Sequence, residues 1–188
     1  MILLASASPR RRELLDQIGV QYRVMPVEVD ESHVAGETAE AYVERITRAK
    51  ARAAAARQAR LPILAADTAV VLDGAPLGKP RDRSHAVEML LALGGRTHEV
   101  MSGVALLHKG ALRYRLNVST VTFAPITERQ ARAYWATGEP LDKAGGYAIQ
   151  GRAALFVREI RGSYSGIVGL PLYETGRLLR EAGLDGAL

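Results

Sequence analysis

The chain contains no cysteine. A disulfide framework, a thiolate metal site and a cysteine nucleophile are all excluded. A reducing cytoplasm fits this composition. Aromatic residues are scarce: seven tyrosines, two phenylalanines and one tryptophan. That is thin for base-stacking platforms and argues against a nucleic-acid partner. Long apolar runs are missing too. The longest, Leu61 to Leu72, is broken by Asp67 and is too short to span a bilayer. At the N-terminus, Met1–Ala5 is apolar, but three arginines arrive by position 12, so no signal peptide is expected. A soluble cytoplasmic protein without a membrane partner is the expectation. The four histidines show no HExxH or HxxxH spacing, which speaks against zinc. The dinucleotide motif GxGxxG, the P-loop GxxxxGK[ST] and the GxSxG elbow are also missing.

What remains is a chain of 188 residues with 48% apolar residues, the profile of a globular domain. Its length suggests one domain, 1–188, with room for two lobes. The net charge of +5 is spread through the chain without a basic tail. A small phosphorylated ligand fits that pattern better than a nucleic acid does.

Periodicity and punctuation divide the chain into alternating elements. Met1–Ala5 reads as a short buried strand. Ser8 as N-cap and Pro9 at N1 open a helix that ends at Gly19. Val20–Val29 reads as extended, and an alanine-rich helix follows over Ala39–Ala59. Pro62–Leu72 is a strand closed by the Asp73-Gly74 turn. A helix over Asp82–Leu93 stops at Gly94-Gly95. Strands follow at Glu99–Leu107 and Leu112–Phe123. Thr127-Glu128-Arg129-Gln130 is a capping box opening a helix that ends at Gly138. Leu155–Ile160 is a strand, and Pro171–Ala182 is the last helix. The pattern predicts an α/β fold, a mixed sheet with flanking helices.

Several residues stand out against this frame. Ser6-Ala7-Ser8-Pro9-Arg10-Arg11-Arg12 joins a strand end to a helix start. Helix N-termini attract phosphate, and cations there are unfavourable unless an anion offsets them. The plainer alternative is a capped surface helix with a solvated first turn. Asp67 interrupts an apolar strand, where a carboxylate is costly unless paired, hydrogen-bonded or on a metal. It reads either as a salt-bridged strand residue or as a metal ligand or general base. Lys50 shares a helical stripe with Val43 and Ile46, so it needs an anion or must snorkel to solvent. Arg45, Arg48 and Arg52 lie on another face and read as ordinary solvated charge. Lys79, in Leu77-Gly78-Lys79-Pro80, reads by itself as a common loop lysine. The segment Asp142–Gly151 is glycine-rich and by composition alone is a plain loop.

Taken in order, these segments resemble the Maf family. The matching stretches are Ser6-Ala7-Ser8-Pro9-Arg10-Arg11, Glu13-Leu14-Leu15, Ala66-Asp67-Thr68, Gly78-Lys79-Pro80 and Asp142-Lys143-Ala144-Gly145. Ile149-Gln150-Gly151, Gly162-Ser163-Tyr164 and Val168-Gly169-Leu170-Pro171 complete the set. The resemblance implies a nucleoside triphosphate pyrophosphatase that needs a divalent cation, Mg²⁺ or Mn²⁺. It implies a fold like that of inosine triphosphate pyrophosphatases, with two lobes around a cleft, and a homodimer. An arginine after Ser-Pro (Arg10 or Arg11), Thr68 and Gln150 are similar to the subgroup acting on dTTP and UTP. Gly146 and Ala148 stand where the family commonly has alanine and glycine, and Gly94 where serine is usual.

The resemblance assigns Asp67 as proton acceptor. Asp67 and Glu31 would hold the metal. Ser8, Arg10, Arg11, Lys50 and Lys79 would bind phosphate, and Thr68 and Gln150 would read a pyrimidine edge. Three rivals stand beside this reading. One is a phosphate-dependent regulator of septum formation without turnover, another is a nucleic-acid-binding module, and the third is the same chemistry on a modified base.

Overall fold

The computed structural model describes residues 1–58 and 60–184. Its centre is a seven-stranded mixed sheet. The strands are β1 (Ile2–Leu4), β2 (Tyr22–Val24), β3 (Ile63–Leu72), β4 (Ala75–Leu77), β5 (Thr97–His108), β6 (Ala111–Phe123) and β7 (Val157–Arg161). They run in the order β2-β1-β3-β5-β6-β7, and β4 pairs with β3. β1 is parallel to both neighbours, while β3, β5, β6 and β7 are successively antiparallel. The helices are α1 (Pro9–Gln17), α2 (Ala39–Arg57), α3 (Arg83–Leu93), α4 (Glu128–Trp135), α5 (Tyr164–Val168) and α6 (Leu172–Glu181). Two 3₁₀ turns, Ala144–Gly146 and Arg152–Phe156, connect α4 to β7. The expected mixed sheet with flanking helices is what is found.

One edge of β3 positions everything that follows. Its start pairs with β1, at Leu3–Ile63 and Leu4–Leu64. Its end pairs with β4, at Val70–Leu77 through Leu72–Ala75. Between Leu64 and Val70 neither strand covers that edge, and Asp67 and Thr68 lie in the gap. The apolar core changes partners at the same place. Leu64 and Ala66 pack with β1, α1 and α6, whereas Val70 and Leu72 pack with α3, α4 and the first 3₁₀ turn. The long strands β3 and β5 therefore carry two lobes, and the gap lies where they meet.

Strand alternation sends neighbouring side chains to opposite faces. Asp67 shares its face with Ala65, Ala69 and Val71, which pack beneath α2. Thr68 points the other way, towards Arg11 and Gly169. α2 is fixed by Thr38, whose side chain accepts from Ala41 N, and by a buried stripe of Val43, Ile46, Thr47, Ala51 and Ala54. That stripe holds Lys50 over the sheet.

The boundaries depart from expectation in instructive places. α2 ends at Arg57, and the expected terminus Ala59 lies outside the described residues. The Asp73-Gly74 turn is a hairpin, with Asp73 at φ 53°, and its return strand β4 was not foreseen. The extended stretch 20–29 forms a strand only over Tyr22–Val24. The last strand starts at Val157, because Arg152–Phe156 coils into a 3₁₀ turn. Helix α5 was also unforeseen. It is one short turn capped by Ser163, whose hydroxyl accepts from Gly166 N at 3.0 Å. At Gly94, where the resembled pattern usually has serine, a Cβ would lie 2.9 Å from Ile126 N. Among the described residues no helix is long and apolar enough to cross a membrane.

Candidate active site

A cleft of about 750 Å³ opens at the gap in the sheet edge. That volume suits a small-molecule site. Every residue given a site role from the sequence lines it, namely Ser8, Arg10, Arg11, Glu31, Lys50, Asp67, Thr68, Lys79 and Gln150, while Arg12, the third arginine of the first cluster, does not. They come from the β1–α1 turn, the loop before α2, α2 itself, β3, the loop after β4, and the segment between the 3₁₀ turns.

The geometry centres on Lys50. Its Nζ donates to Asp67 Oδ1 at 2.7 Å and pairs with Glu31 Oε1 at 2.6 Å. The Lys50 and Asp67 side chains are nearly buried, at 12% and 11% exposure, while Glu31 is 44% exposed. The lysine therefore finds an anion rather than snorkelling to solvent, and the carboxylate is paired. Burial pushes the Glu31 carboxyl up. The hydrogen bond from Lys50 and the charges of Lys50, Lys79 and Arg11 outweigh that and hold it below its ordinary range.

Arg11 fastens the β1–α1 turn to the opposite wall. Its Nε donates to Gly169 O at 2.8 Å, Nη1 to Ser6 Oγ at 3.1 Å and Nη2 to Thr68 Oγ1 at 3.5 Å. One N–H on each Nη is left over. Ser102 donates its hydroxyl proton to Gly166 O at 2.6 Å, so at the 2.8 Å Thr68–Ser102 contact it must accept from Thr68. Thr68 therefore offers the cleft an acceptor and no donor. Ser8 is the N-cap residue of α1 as expected, yet its side chain makes no cap bond. Ser6 Oγ accepts from Ser8 N instead, at 3.2 Å, and Ser8 lines the cleft.

The walls carry five cationic side chains, those of Arg10, Arg11, Lys50, Lys79 and Lys143, against the carboxylates of Glu31, Asp67 and Asp142. The surplus favours a polyanion. Lys143 was not singled out from sequence, because a lysine in a glycine-rich loop gives no signal of its own. Burial, followed by repulsion from Arg10, lowers its ammonium pKa, and Lys79 adds to the repulsion. A bound phosphate would relieve such crowding.

Arg45 was misread as solvated charge. Its guanidinium grips Glu37 through Nε and Nη2 at 2.6 and 2.7 Å, and Nη2 also donates to Ser32 O at 2.8 Å. Tyr42 donates to Glu31 O at 3.2 Å and stacks on His33 with ring centroids 4.2 Å apart. Together these tie the irregular segment carrying Glu31 onto α2. The missed signal was spacing, since Tyr42, Ile46 and Lys50 follow one another at four-residue steps. Burial and the charges of Asp67 and Glu31 push the Tyr42 phenol up to about 12.

Beneath the cleft, His98 lies 2% exposed against Phe123 and Tyr147, its Nε2 2.8 Å from Tyr147 Oη. Nδ1 has no protein partner among the described residues. Burial pushes the imidazole down to about 4. The unfolded chain then binds more protons than the folded one between about pH 6.5 and pH 4. Stability should fall as pH drops through that window, by roughly 3 kcal/mol for a shift of this size. His98→Gln keeps a hydrogen-bonding group but cannot titrate. Urea unfolding at pH 7 and pH 5 should show a smaller stability difference for the variant than for the wild type, and equal differences would remove His98 as the source.

With the geometry in place, the comparisons with known proteins decide the family. The family described as Maf-like protein matches residues 1–182. The chain belongs to the Maf family. Among its Maf relatives, a protein of Alkalilimnicola ehrlichii named dTTP/UTP pyrophosphatase is 53% identical, with 98% of this chain and 94% of the relative covered. A protein of the same name from Methylococcus capsulatus is 52% identical, covering 99% of this chain and 93% of the relative. Another from Nitrosomonas europaea is 50% identical over 98% and 95% of the two chains. Among solved structures, the Ham1 protein of Staphylococcus aureus aligns at a TM-score of 0.45 and 17% identity, over 65% of this chain and 71% of that one.

Proposed function

We propose that this Maf protein hydrolyses dTTP and UTP, together with modified pyrimidine triphosphates of the same shape, to the nucleoside monophosphate and pyrophosphate. The observation that carries this reading is one cleft in which two carboxylates, the nearly buried Asp67 and the half-exposed Glu31, share a lysine, ringed by a surplus of cations. Relatives at half identity named dTTP/UTP pyrophosphatase support it independently.

In this reading water attacks the α-phosphorus. Its oxygen bonds to phosphorus, its proton passes to the Asp67 carboxylate, and the bond to the β-phosphate oxygen breaks to release pyrophosphate. Among the described residues only Oδ1 of Asp67 is hydrogen-bonded, so Oδ2 remains for the proton. Ser8, Arg10, Arg11, Lys50 and Lys79 grip the phosphates, and Lys143 joins them. Phosphoryl transfer depends chiefly on such positioning and charge neutralisation.

Among the described residues no group of three or more His, Asp or Glu side chains is arranged to hold a metal ion. Two carboxylates do converge, since Glu31 and Asp67 both approach the same lysine nitrogen. That set fits Mg²⁺ or Mn²⁺, which bind through one or two carboxylates plus substrate phosphates. Held by Asp67 and Glu31, the cation would supply Lewis-acid neutralisation of phosphate charge. In the same reading the enzyme works in the cytoplasm as a homodimer.

At the base end, Thr68 offers its acceptor and Gln150 both an acceptor and a donor, matching the N–H and carbonyl of uracil and thymine. Sites built on such bonds discriminate strongly. The test is pyrophosphate release from UTP, dTTP, CTP and GTP, with and without Mg²⁺ or Mn²⁺. UTP and dTTP should lead by kcat/KM, and Gln150→Ala should reorder the panel. Tight nucleotide binding without release would leave a non-catalytic regulator, and an unchanged ranking would remove Gln150 from selectivity.

A further inference from the structure

Gln150 sits at the tip of a turn in which Gly151 N donates to Ala148 O at 3.0 Å. Ile149 is buried in the core beside it, while Gln150 itself is exposed to the cleft. Both shoulders of this turn are held by one pair of side chains from α4 and the loop after it. Tyr134 Oη accepts from Ala148 N at 3.1 Å and donates its proton to Glu139 Oε1 at 2.6 Å. Glu139 in turn accepts from Arg152 N at 3.0 Å, through Oε2, and from Ala153 N at 3.4 Å. The tyrosine is 3% exposed and its bond from Ala148 N is buried, where an unpaired partner is costly, while the Glu139 end of the pair lies nearer the surface. The approach needs a glycine at the centre, because a Cβ on Gly151 would overlap the Glu139 carboxylate.

We infer that Tyr134 and Glu139 are positioning residues for base selection, a clamp anchored on a buried tyrosine that fixes the height and angle at which Gln150 enters the cleft. The inference rests on the reading of Gln150 as a base contact. Neither clamp residue lines the cleft, so any effect on selectivity must pass through the turn. Three backbone N–H groups on the two sides of the tip converge on two joined side chains, a tighter hold than an ordinary loop requires. A displacement of about 1 Å at a contact residue is enough to cost up to about 100-fold, and Tyr134→Phe removes the link between the shoulders without changing ring volume.

The experiment measures kcat and KM with UTP and CTP for wild type, Tyr134→Phe, Glu139→Gln, Gln150→Ala and the Tyr134→Phe/Gln150→Ala pair. Inorganic tripolyphosphate serves as a base-free competitive inhibitor. Tyr134→Phe is expected to narrow the UTP-to-CTP ratio of kcat/KM by about 10-fold, chiefly through the KM for UTP, within the loss such a displacement brings. The tripolyphosphate inhibition constant should not change. In the Gln150→Ala background the tyrosine substitution should add nothing, the non-additivity expected of residues acting as one unit. Glu139→Gln should move the ratio in the same direction by less, and it supplies the test if Tyr134→Phe does not fold. If Gln150→Ala narrows the ratio and neither clamp variant does, the positioning role is overturned. It is equally overturned if tripolyphosphate weakens in step with UTP, which marks general damage. If Gln150→Ala itself leaves the ratio unchanged, the base-contact reading fails and takes the clamp with it.

Discussion

Asp67→Asn is expected to lower kcat with UTP by at least about 100-fold, the scale of a lost acid–base group, while the protein stays folded. The substitution preserves shape and keeps an oxygen for the Lys50 ammonium now 2.7 Å from Oδ1. What disappears is the negative charge and the capacity to take a proton from water. A purely structural ion pair predicts the reverse pattern. Lys50 would still hold Glu31 at 2.6 Å, a weakened fold would appear as a lower unfolding midpoint, and turnover per folded molecule would stay near wild type. Measuring kcat by pyrophosphate release alongside thermal unfolding separates the two. A folded variant with turnover within a few-fold of wild type would refute the assignment of Asp67 as the base.

Much of this site was legible because charge at an awkward place is a strong signal. An aspartate inside an apolar strand and a lysine on a helix's buried stripe each demand a partner, and the fold makes them partners of each other. The arginine cluster at a helix N-terminus demanded anions in the same way, although Arg11 spends part of its guanidinium on protein oxygens. Residues whose role depends on tertiary neighbours were silent. Arg45 looks identical in sequence to Arg48, which pairs with Glu44 one turn away at 2.6 Å, yet Arg45 grips Glu37 in the irregular segment before α2. Tyr134 and Glu139 likewise carry no signal in the sequence, and only the turn around Gln150 packed against them gives them a role.

The fold divides along the same line. Elements with a cap or a period were read within a few residues: the Thr127–Gln130 capping box is present with both bonds, and Asp82 caps α3 by accepting from His85 N at 2.9 Å. Short elements without a hydrophobic period escaped. β4 is three residues of a hairpin arm, and α5 is a single turn held by Ser163. Their stability comes from pairing and capping partners elsewhere in the fold, so no local pattern announces them. Even so, these two unannounced pieces shape the site. β4 carries the chain to Lys79, and Ser102 ties α5, through Gly166 O, to Thr68.

Lys50→Met should be nearly as damaging to turnover as Asp67→Asn and much worse for the fold. Loss of a preorganised charge at a transferring phosphate costs about 10²–10³ in kcat. The aliphatic stem is retained, so the packing of α2 over β3 changes little. Two carboxylates that shared one ammonium are left facing each other, one of them nearly buried. Breaking a buried pair in this way costs roughly 2–4 kcal/mol here, below the most severe cases because Glu31 is 44% exposed. The pH dependence follows from the direction of the Glu31 shift. A carboxyl held below its ordinary value contributes stability above that value and loses it as pH falls through the folded pKa. Since Lys50 supplies the hydrogen bond behind that shift, the gap between variant and wild type should be widest near neutral pH and shrink towards pH 3. Added Mg²⁺ should raise the unfolding midpoint of the variant more than that of the wild type, because no ammonium then competes for the Glu31 and Asp67 oxygens, and binding to the folded state alone stabilises it. Equal midpoint shifts in the two proteins would mean that the cation binds elsewhere, and the paired carboxylates would lose their claim to it.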